Sequence, residues 1–75
     1  MILKYKVPKH YLKSYNNKKI IYCNIIKTTE TINKKVYLVK MINLYNVSNI
    51  FGEDELKELN LLDKIKLLFI KKEEN

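Results

Sequence analysis

KIIYCNIIKTTETINKKVYLVKMI, residues 19–42, contains two apolar runs separated by a polar segment. The first run, from Lys19 to Lys27, is apolar on both faces of an extended chain, which favours a central strand that is covered on both sides. The second run, from Val36 to Ile42, alternates apolar residues with Lys40, as a half-buried strand does. The polar segment Thr28 to Lys34 suits a hairpin loop. The stretch therefore predicts two long antiparallel strands.

The alternation also assigns the apolar side chains of these strands to faces. Tyr37, Val39 and Met41 of the second strand are expected to face the core. Cys23, in the first strand, is the only cysteine, so we expect a buried, inert thiol and no internal disulfide. The first strand places Ile21, Cys23 and Ile25 on one face and Ile20, Tyr22 and Ile26 on the other.

The N-terminal segment predicts a further strand and a turn. Apolar residues alternate with lysines through residues 2–7, which indicates a half-buried strand. Pro8 ends it because proline lacks the backbone N–H that a sheet requires. Lys9 to Ser14 can then form a short helical turn that stops at Asn16 and Asn17. The strand turns Leu3, Tyr5 and Val7 to one side and Lys4 and Lys6 to the other, and Tyr11 and Tyr15 share a face of the turn.

Beyond the long strands, the pattern becomes shorter and more polar. Residues 43–46 hold two asparagines and indicate a tight turn before a shorter strand from Val47 to Phe51. Gly52 is the only glycine, and Glu53-Asp54-Glu55 behind it load the start of a helical turn with negative charge. Leu56 to Leu59 would continue this turn with a helical step.

Residues 60–72 fit two structures. As a helix, the segment has one apolar face, and Asn60 with Asp63 resembles an N-terminal cap. As a strand, it has apolar residues in alternation. We favour the helix. The helical stripe is Leu61, Leu62, Ile65, Leu68 and Phe69, and the strand pattern is Ile65, Leu67 and Phe69.

A helix at this position needs somewhere to bury its apolar stripe. One alternative is that it covers an end of the predicted sheet structure. The other is that the stripe pairs with itself, in a homodimer through residues 61–70, or docks into the groove of a partner.

The order of these elements resembles that of the small Src-homology-3-like barrels, including the KOW-type and phage-encoded members. The resemblance is carried by Lys18–Cys23, Tyr37–Lys40 and Ile50–Leu56, and it covers about residues 18–56. It implies that the two long strands form a central hairpin and that the acidic turn precedes a closing strand, which a strict match would place at residues 64–71. Asn16 and Asn17 stand where the family usually has a glycine.

We therefore predict one mainly β domain over residues 1–75. It is a small five-stranded, barrel-like fold with a short acidic helical turn and a C-terminal helix, or closing strand, at residues 60–72. A small barrel hosts many unrelated functions, so the fold alone assigns none.

The composition argues against several classes of site. One cysteine and one histidine cannot complete a tetrahedral zinc site, and a single glycine cannot build a phosphate-binding loop. The acidic residues at 53–55 match no calcium loop. No apolar run approaches the length of a bilayer span, and the N-terminus lacks the apolar stretch of a signal peptide. We expect a cytoplasmic protein with no cofactor, no metal and no membrane partner.

The positive charge is concentrated in the N-terminal half. The net charge is +7, and every basic residue is a lysine. Residues 1–40 carry ten lysines and one glutamate, whereas residues 41–75 carry five lysines and seven acidic residues. Because guanine recognition relies on arginine, any binding of nucleic acid is expected to be backbone-driven and weakly sequence-specific.

The best candidate binding surface is the segment from Pro8 to Lys19. Lysines interleaved with aromatic rings can neutralise phosphates and stack on unpaired bases. Alternatively, the tyrosines close the mouth of the barrel and the lysines keep the protein in solution. His10 is the only candidate general base near neutral pH, and we predict no catalytic residue. The candidate binding residues are Lys9, His10, Tyr11, Lys13, Tyr15, Lys18 and Lys19.

Two functions follow as hypotheses. The first is a non-enzymatic binding module, such as an accessory or inhibitor protein of a phage or other mobile element that binds a host protein or nucleoprotein. The alternative is a nucleic-acid-binding small barrel that uses the basic and aromatic segment.

Overall fold

The computed structural model describes residues 1–74, with side chains described as far as Ile70. It contains five strands of 2 to 11 residues, two 3-10 segments and one α-helix. In chain order the elements are β1 (Ile2–Lys6), an N-terminal 3-10 helix (Lys9–Tyr15), β2 (Ile20–Glu30), β3 (Lys35–Met41), β4 (Val47–Gly52), an acidic 3-10 turn (Glu53–Glu55), β5 (Leu56–Lys57) and α1 (Leu61–Glu74).

The five strands form one antiparallel sheet in the order β4-β3-β2-β1-β5. Tyr5 of β1 stacks on Phe51 of β4, with their ring centroids 4.4 Å apart. Two strands separate β1 from β4, so a flat sheet would place them about 14 Å apart. The sheet is therefore curled, and the predicted mainly β, barrel-like fold class with an acidic turn and a C-terminal helix is confirmed.

The concave face of the sheet holds the larger core. The predicted inward residues of β1, β2 and β3 all pack there, because side chains alternate between the faces of a strand. Ile21, Cys23 and Val39 are completely buried at its centre. The buried members of this core are Tyr5, Ile21, Cys23, Tyr37, Val39, Met41, Leu44, Phe51 and Leu56.

The convex face of β1 and β2 carries a second, smaller core. Tyr22 packs there with Ile42 and with Leu67 of α1, and Ile20 and Ile70 border the cluster. Because Ile21 and Cys23 lie in the concave core, the first part of β2 is covered on both faces, as its sequence predicted, whereas residues 26–30 are exposed.

The face that α1 turns toward the sheet is not the predicted one. Asp63 and Leu67 are buried and Ile70 is half-buried, so these three side chains contact the strands. The predicted stripe of Leu61, Leu62, Ile65, Leu68 and Phe69 is exposed, with exposed fractions from 44% to 74%. The expectation that this stripe packs against the end of the sheet is therefore wrong, as is a closing strand at residues 64–71.

Three local features differ from the sequence expectation. β2 continues through Thr28–Glu30, so the hairpin loop is only residues 31–34, closed by the backbone N–H of Thr31 donating to the Lys34 carbonyl. A register shift between Ile25 and Lys27 leaves Ile26 exposed rather than packed with Tyr22. The predicted helical continuation from Leu56 to Leu59 is absent, because Leu56 lies in a strand.

Leu56 instead begins β5, where it pairs with Tyr5 of β1 and is buried in the concave core. Two residues make too short a strand for period-two alternation to be recognised. The fifth strand is therefore Leu56–Lys57.

Two turns contain consecutive residues in the left-handed region. Asn16 and Asn17 have φ values of 57° and 60°, and Tyr45 and Asn46 have values of 56° and 53°. Asparagine tolerates this conformation, which explains how the first turn forms without glycine. A tyrosine there is strained, because its Cβ approaches the following carbonyl oxygen.

Candidate binding groove

An open groove of about 790 Å³ lies between the N-terminal 3-10 helix and β4. The 3-10 helix supplies one wall, and the β3–β4 turn with β4 supplies the other. Its size is within the range of ligand-binding clefts. Four tyrosines and one phenylalanine contribute to its lining. The residues that define this tyrosine groove are Tyr5, Tyr11, Lys13, Tyr15, Tyr45, Val47, Ile50, Phe51 and Glu55.

The floor of the tyrosine groove is an aromatic cluster. Tyr5 contacts Phe51 on one side and Tyr15 on the other, with the two tyrosine centroids 5.5 Å apart. Burial raises the pKa of Tyr5 above its ordinary value, and the neighbouring Tyr15 and Glu55 raise it further. The Tyr5 phenol of the floor therefore stays protonated and uncharged at neutral pH.

The rims of the groove expose large side chains. Tyr11 is 49% exposed and Tyr45 is 81% exposed. The ring of Tyr11 also contacts the His10 ring, at a centroid distance of 4.2 Å. Asn16 Nδ2 donates a weak hydrogen bond of 3.4 Å to the Tyr45 hydroxyl. Two exposed tyrosines, one in a strained backbone conformation, mark the groove as a candidate functional site.

The charge of the groove is mixed rather than basic. Lys13 and Glu55 both line it, on the 3-10 helix and the acidic turn respectively. A groove of this kind does not present the continuous positive surface that a phosphate backbone requires.

The predicted binding residues do not form one surface. Tyr11, Lys13 and Tyr15 line the tyrosine groove, whereas Lys9 and His10 are exposed on the same 3-10 helix outside its lining. The remaining two, Lys18 and Lys19, line a separate depression.

This second depression, of about 430 Å³, lies between the start of β2 and α1. Lys66 joins Lys18 and Lys19 there, beside the 64% exposed ring of Phe69. The sequence separates these groups by nearly fifty residues, so only the docking of α1 brings them together.

Sequence reasoning missed the second wall of the tyrosine groove. Tyr45, Val47 and Ile50 were read as turn and short strand and not as a site. An aromatic residue inside a turn of polar residues is the signal that could have identified Tyr45, because such positions usually favour asparagine or glycine.

The remaining candidate for chemistry is Cys23. Burial raises the pKa of this thiol to about 12, so the thiolate that reacts as a nucleophile is scarce near neutral pH. Among the residues that the structure describes, no three histidine, cysteine or acidic side chains group closely enough to hold a metal ion. Within the same residues, no helix combines the length and hydropathy that a bilayer span requires.

Comparison of the chain with family models, with curated proteins and with solved structures finds no match.

Proposed function

We propose that this protein is a non-enzymatic binding module that takes an extended segment of a partner protein along the tyrosine groove. The observation that carries this proposal is the pair of exposed rims, Tyr11 and Tyr45, above a buried aromatic floor. Tyrosines supply large contact areas at low cost in side-chain entropy, and they are enriched where proteins bind one another.

The shape of the groove favours an extended occupant. One wall is β4, which pairs with β3 and forms an edge of the sheet. Peptides commonly bind beside edge strands in an extended conformation, with alternate side chains entering apolar pockets. Val47 and Ile50 are 48% and 64% exposed on this wall and would contact the apolar side chains of such a segment.

The polar residues of the groove set the preferred ends of the segment. Lys13 would attract an acidic group on the partner, and Glu55 would attract a basic one. A segment of mixed charge with apolar residues between is therefore the expected ligand, and electrostatic complementarity would fix its direction.

A displayed peptide library tests this function. The wild-type protein should select peptides whose affinity falls at least about tenfold in Tyr11→Ala and in Ile50→Ala, as expected for contacts in the centre of an interface. The matched control is Ile32→Ala, which removes a fully exposed apolar side chain at the β2–β3 hairpin. If the groove variants bind the selected peptides as tightly as the control does, the proposal is wrong.

A second candidate function is favoured by the second depression. Lys18, Lys19 and Lys66 surround the exposed ring of Phe69, and this arrangement suits a single-stranded nucleic acid whose base stacks on the ring. Binding of a generic oligonucleotide should then weaken steeply with salt and be lost in Lys18→Glu/Lys19→Glu. Lys27→Glu/Lys40→Glu makes the same change in charge on exposed residues outside the depression and should retain binding.

The expected biological setting is an accessory or inhibitor role in a phage or other mobile element. It is supported by the uneven distribution of charge along the sequence. The genes that neighbour its own test this part of the proposal, since replication, packaging or transfer genes beside it would support the setting.

A further inference from the structure

The outer face of α1 is an apolar surface that the fold leaves uncovered. Residues 65 and 67 are about 200° apart around a helix, so the burial of Leu67 against the sheet turns Ile65 toward solvent. The other apolar residues on the same side of the helix as Ile65 are exposed as well. We call this set the outer stripe: Leu61, Leu62, Ile65, Leu68 and Phe69.

The spacing of the outer stripe is symmetric about its central residue. Relative to Ile65, its other members stand at positions −4, −3, +3 and +4. Two ridges therefore cross at Ile65: the i±4 ridge joins Leu61 to Phe69, and the i±3 ridge joins Leu62 to Leu68. Reversing the direction of the helix reproduces the same pattern of apolar positions.

We propose that a second copy of this chain covers the outer stripe, with the two α1 helices antiparallel about a two-fold axis at Ile65. In this arrangement Ile65 contacts its own counterpart, and Leu61 and Leu62 of one copy lie level with Leu68 and Phe69 of the other. A two-fold interface must be self-complementary, and the symmetric spacing meets that requirement without any other partner.

The exposed area is consistent with this occupant. Five large apolar side chains with exposed fractions of 44–74% amount to roughly 500 Å², near the upper end of the largest patch on a typical monomer. Covering the stripe on both copies buries about 1,000 Å², which is the lower end of a specific interface. The dimer is therefore expected to form reversibly and to depend on protein concentration.

The charges beside the stripe predict how salt affects the dimer. Lys64 and Lys66 are exposed and flank Ile65 on opposite sides of the helix. A two-fold axis places each lysine on the same side as its own counterpart, so like charges lie near each other across the interface. Salt screens this repulsion and should strengthen self-association. A polyanion or an acidic partner bound through these lysines would show the opposite dependence.

Sedimentation of the full chain over a range of concentrations tests for the dimer. We expect a reversible monomer–dimer equilibrium that shifts toward dimer between about 50 and 500 mM salt. Ile65→Lys should remain monomeric because it places two further like charges at the axis, whereas Ile32→Lys at the fully exposed hairpin tip should still dimerise. A wild-type chain that stays monomeric at high concentration and high salt overturns the proposal.

Disulfide cross-linking then tests the geometry. Helices packed about 8–10 Å apart can bring the two Cα atoms at the axis within about 5 Å, which a disulfide can bridge. Ile65→Cys should therefore cross-link to itself, and Ile32→Cys should not do so above background. Leu61→Cys should cross-link to a Leu68→Cys or a Phe69→Cys chain and not to itself. Efficient self-linking of Leu61→Cys would indicate parallel helices and would overturn the antiparallel pairing.

Discussion

The ammonium group of Lys4 lies 2.6 Å from Oδ2 of Asp63, joining the first strand to the C-terminal helix. Both side chains are nearly buried, with exposed fractions of 12% and 10%. Asp63 also accepts a 3.4 Å hydrogen bond from the Tyr22 hydroxyl. Through these contacts one carboxylate fixes α1 to β1 and β2.

The same carboxylate caps the helix. The backbone N–H of Asn60 donates to Asp63 Oδ2 at 3.0 Å, and the backbone N–H of Asp63 donates to Asn60 Oδ1 at 2.8 Å. This reciprocal pair is a capping box that satisfies two backbone donors at the start of α1. The position where the helix begins and the position where it docks are therefore set by one residue.

The stability of the protein should depend on pH through Asp63. The hydrogen bond from Lys4 and that from the Asn60 backbone hold the pKa of this carboxyl below its ordinary value. The stabilisation is complete above the unfolded pKa of about 3.9 and is lost as the pH falls from there through the lower folded pKa. Urea unfolding at a series of pH values should show this loss, and Asp63→Asn should lose less stability over the same acid range. An identical acid dependence in Asp63→Asn would assign the effect to other groups.

Removing the cation should destabilise the fold. Lys4→Met keeps the aliphatic contacts and leaves Asp63 without its charged partner, which should lower the free energy of unfolding by about 2 kcal/mol. Lys6→Met is the matched control, since Lys6 is exposed on the same strand and the same face. Equal denaturation midpoints for the two variants would show that the ion pair contributes nothing to stability.

The side chain of Asn43 should contribute more to the stability of the fold than is usual for a residue in a turn. Its Oδ1 accepts from the Tyr22 backbone N–H at 2.8 Å, and its Nδ2 donates to the Ile20 carbonyl at 2.9 Å. Asn43→Ala removes the partners of both backbone groups, and we expect a loss of about 2 kcal/mol. Asn24→Ala, at an exposed position of β2, should change the midpoint of thermal unfolding far less.

Substitution of Tyr45 should change the stability of the fold and the affinity for groove peptides in opposite directions. Its left-handed backbone is strained, whereas asparagine adopts this conformation readily, so Tyr45→Asn should raise the free energy of unfolding by about 0.5–1 kcal/mol. The same change removes a rim of the tyrosine groove and should weaken the binding of groove peptides. Tyr11→Asn is the control, because the backbone of Tyr11 is not in the left-handed region. This variant should weaken peptide binding without raising the free energy of unfolding. A loss of stability in Tyr45→Asn would mean that ring contacts outweigh the backbone strain.

Much of the sheet is predictable because its signals are local. The alternation around Tyr5 and Tyr37 and the continuous apolar run around Tyr22 identify three strands, and the pair Asn60 and Asp63 identifies the helix start. These patterns need only neighbouring residues, which is why the structure reproduces them.

The docking face of α1 could not be predicted in the same way. Hydrophobicity favours the stripe through Ile65, yet the helix buries the face that contains Asp63. Burial of that carboxylate depends on Lys4, which lies 59 residues away in the chain and supplies the opposite charge. The wall of the groove at Tyr45 was missed for a similar reason, since its position depends on a left-handed turn that tyrosine rarely adopts.

The coverage of β2 on both faces has a consequence for unfolding. Ile21 and Cys23 belong to the concave core and Tyr22 to the convex one, so this strand is the middle layer between two apolar contacts. Detaching α1 would expose Tyr22 to water, and its neighbours Ile21 and Cys23 hold the concave core, so we expect the two cores to unfold together. Hydrogen exchange should therefore be slowest at the amides of residues 21–23, and calorimetry should record a single cooperative transition.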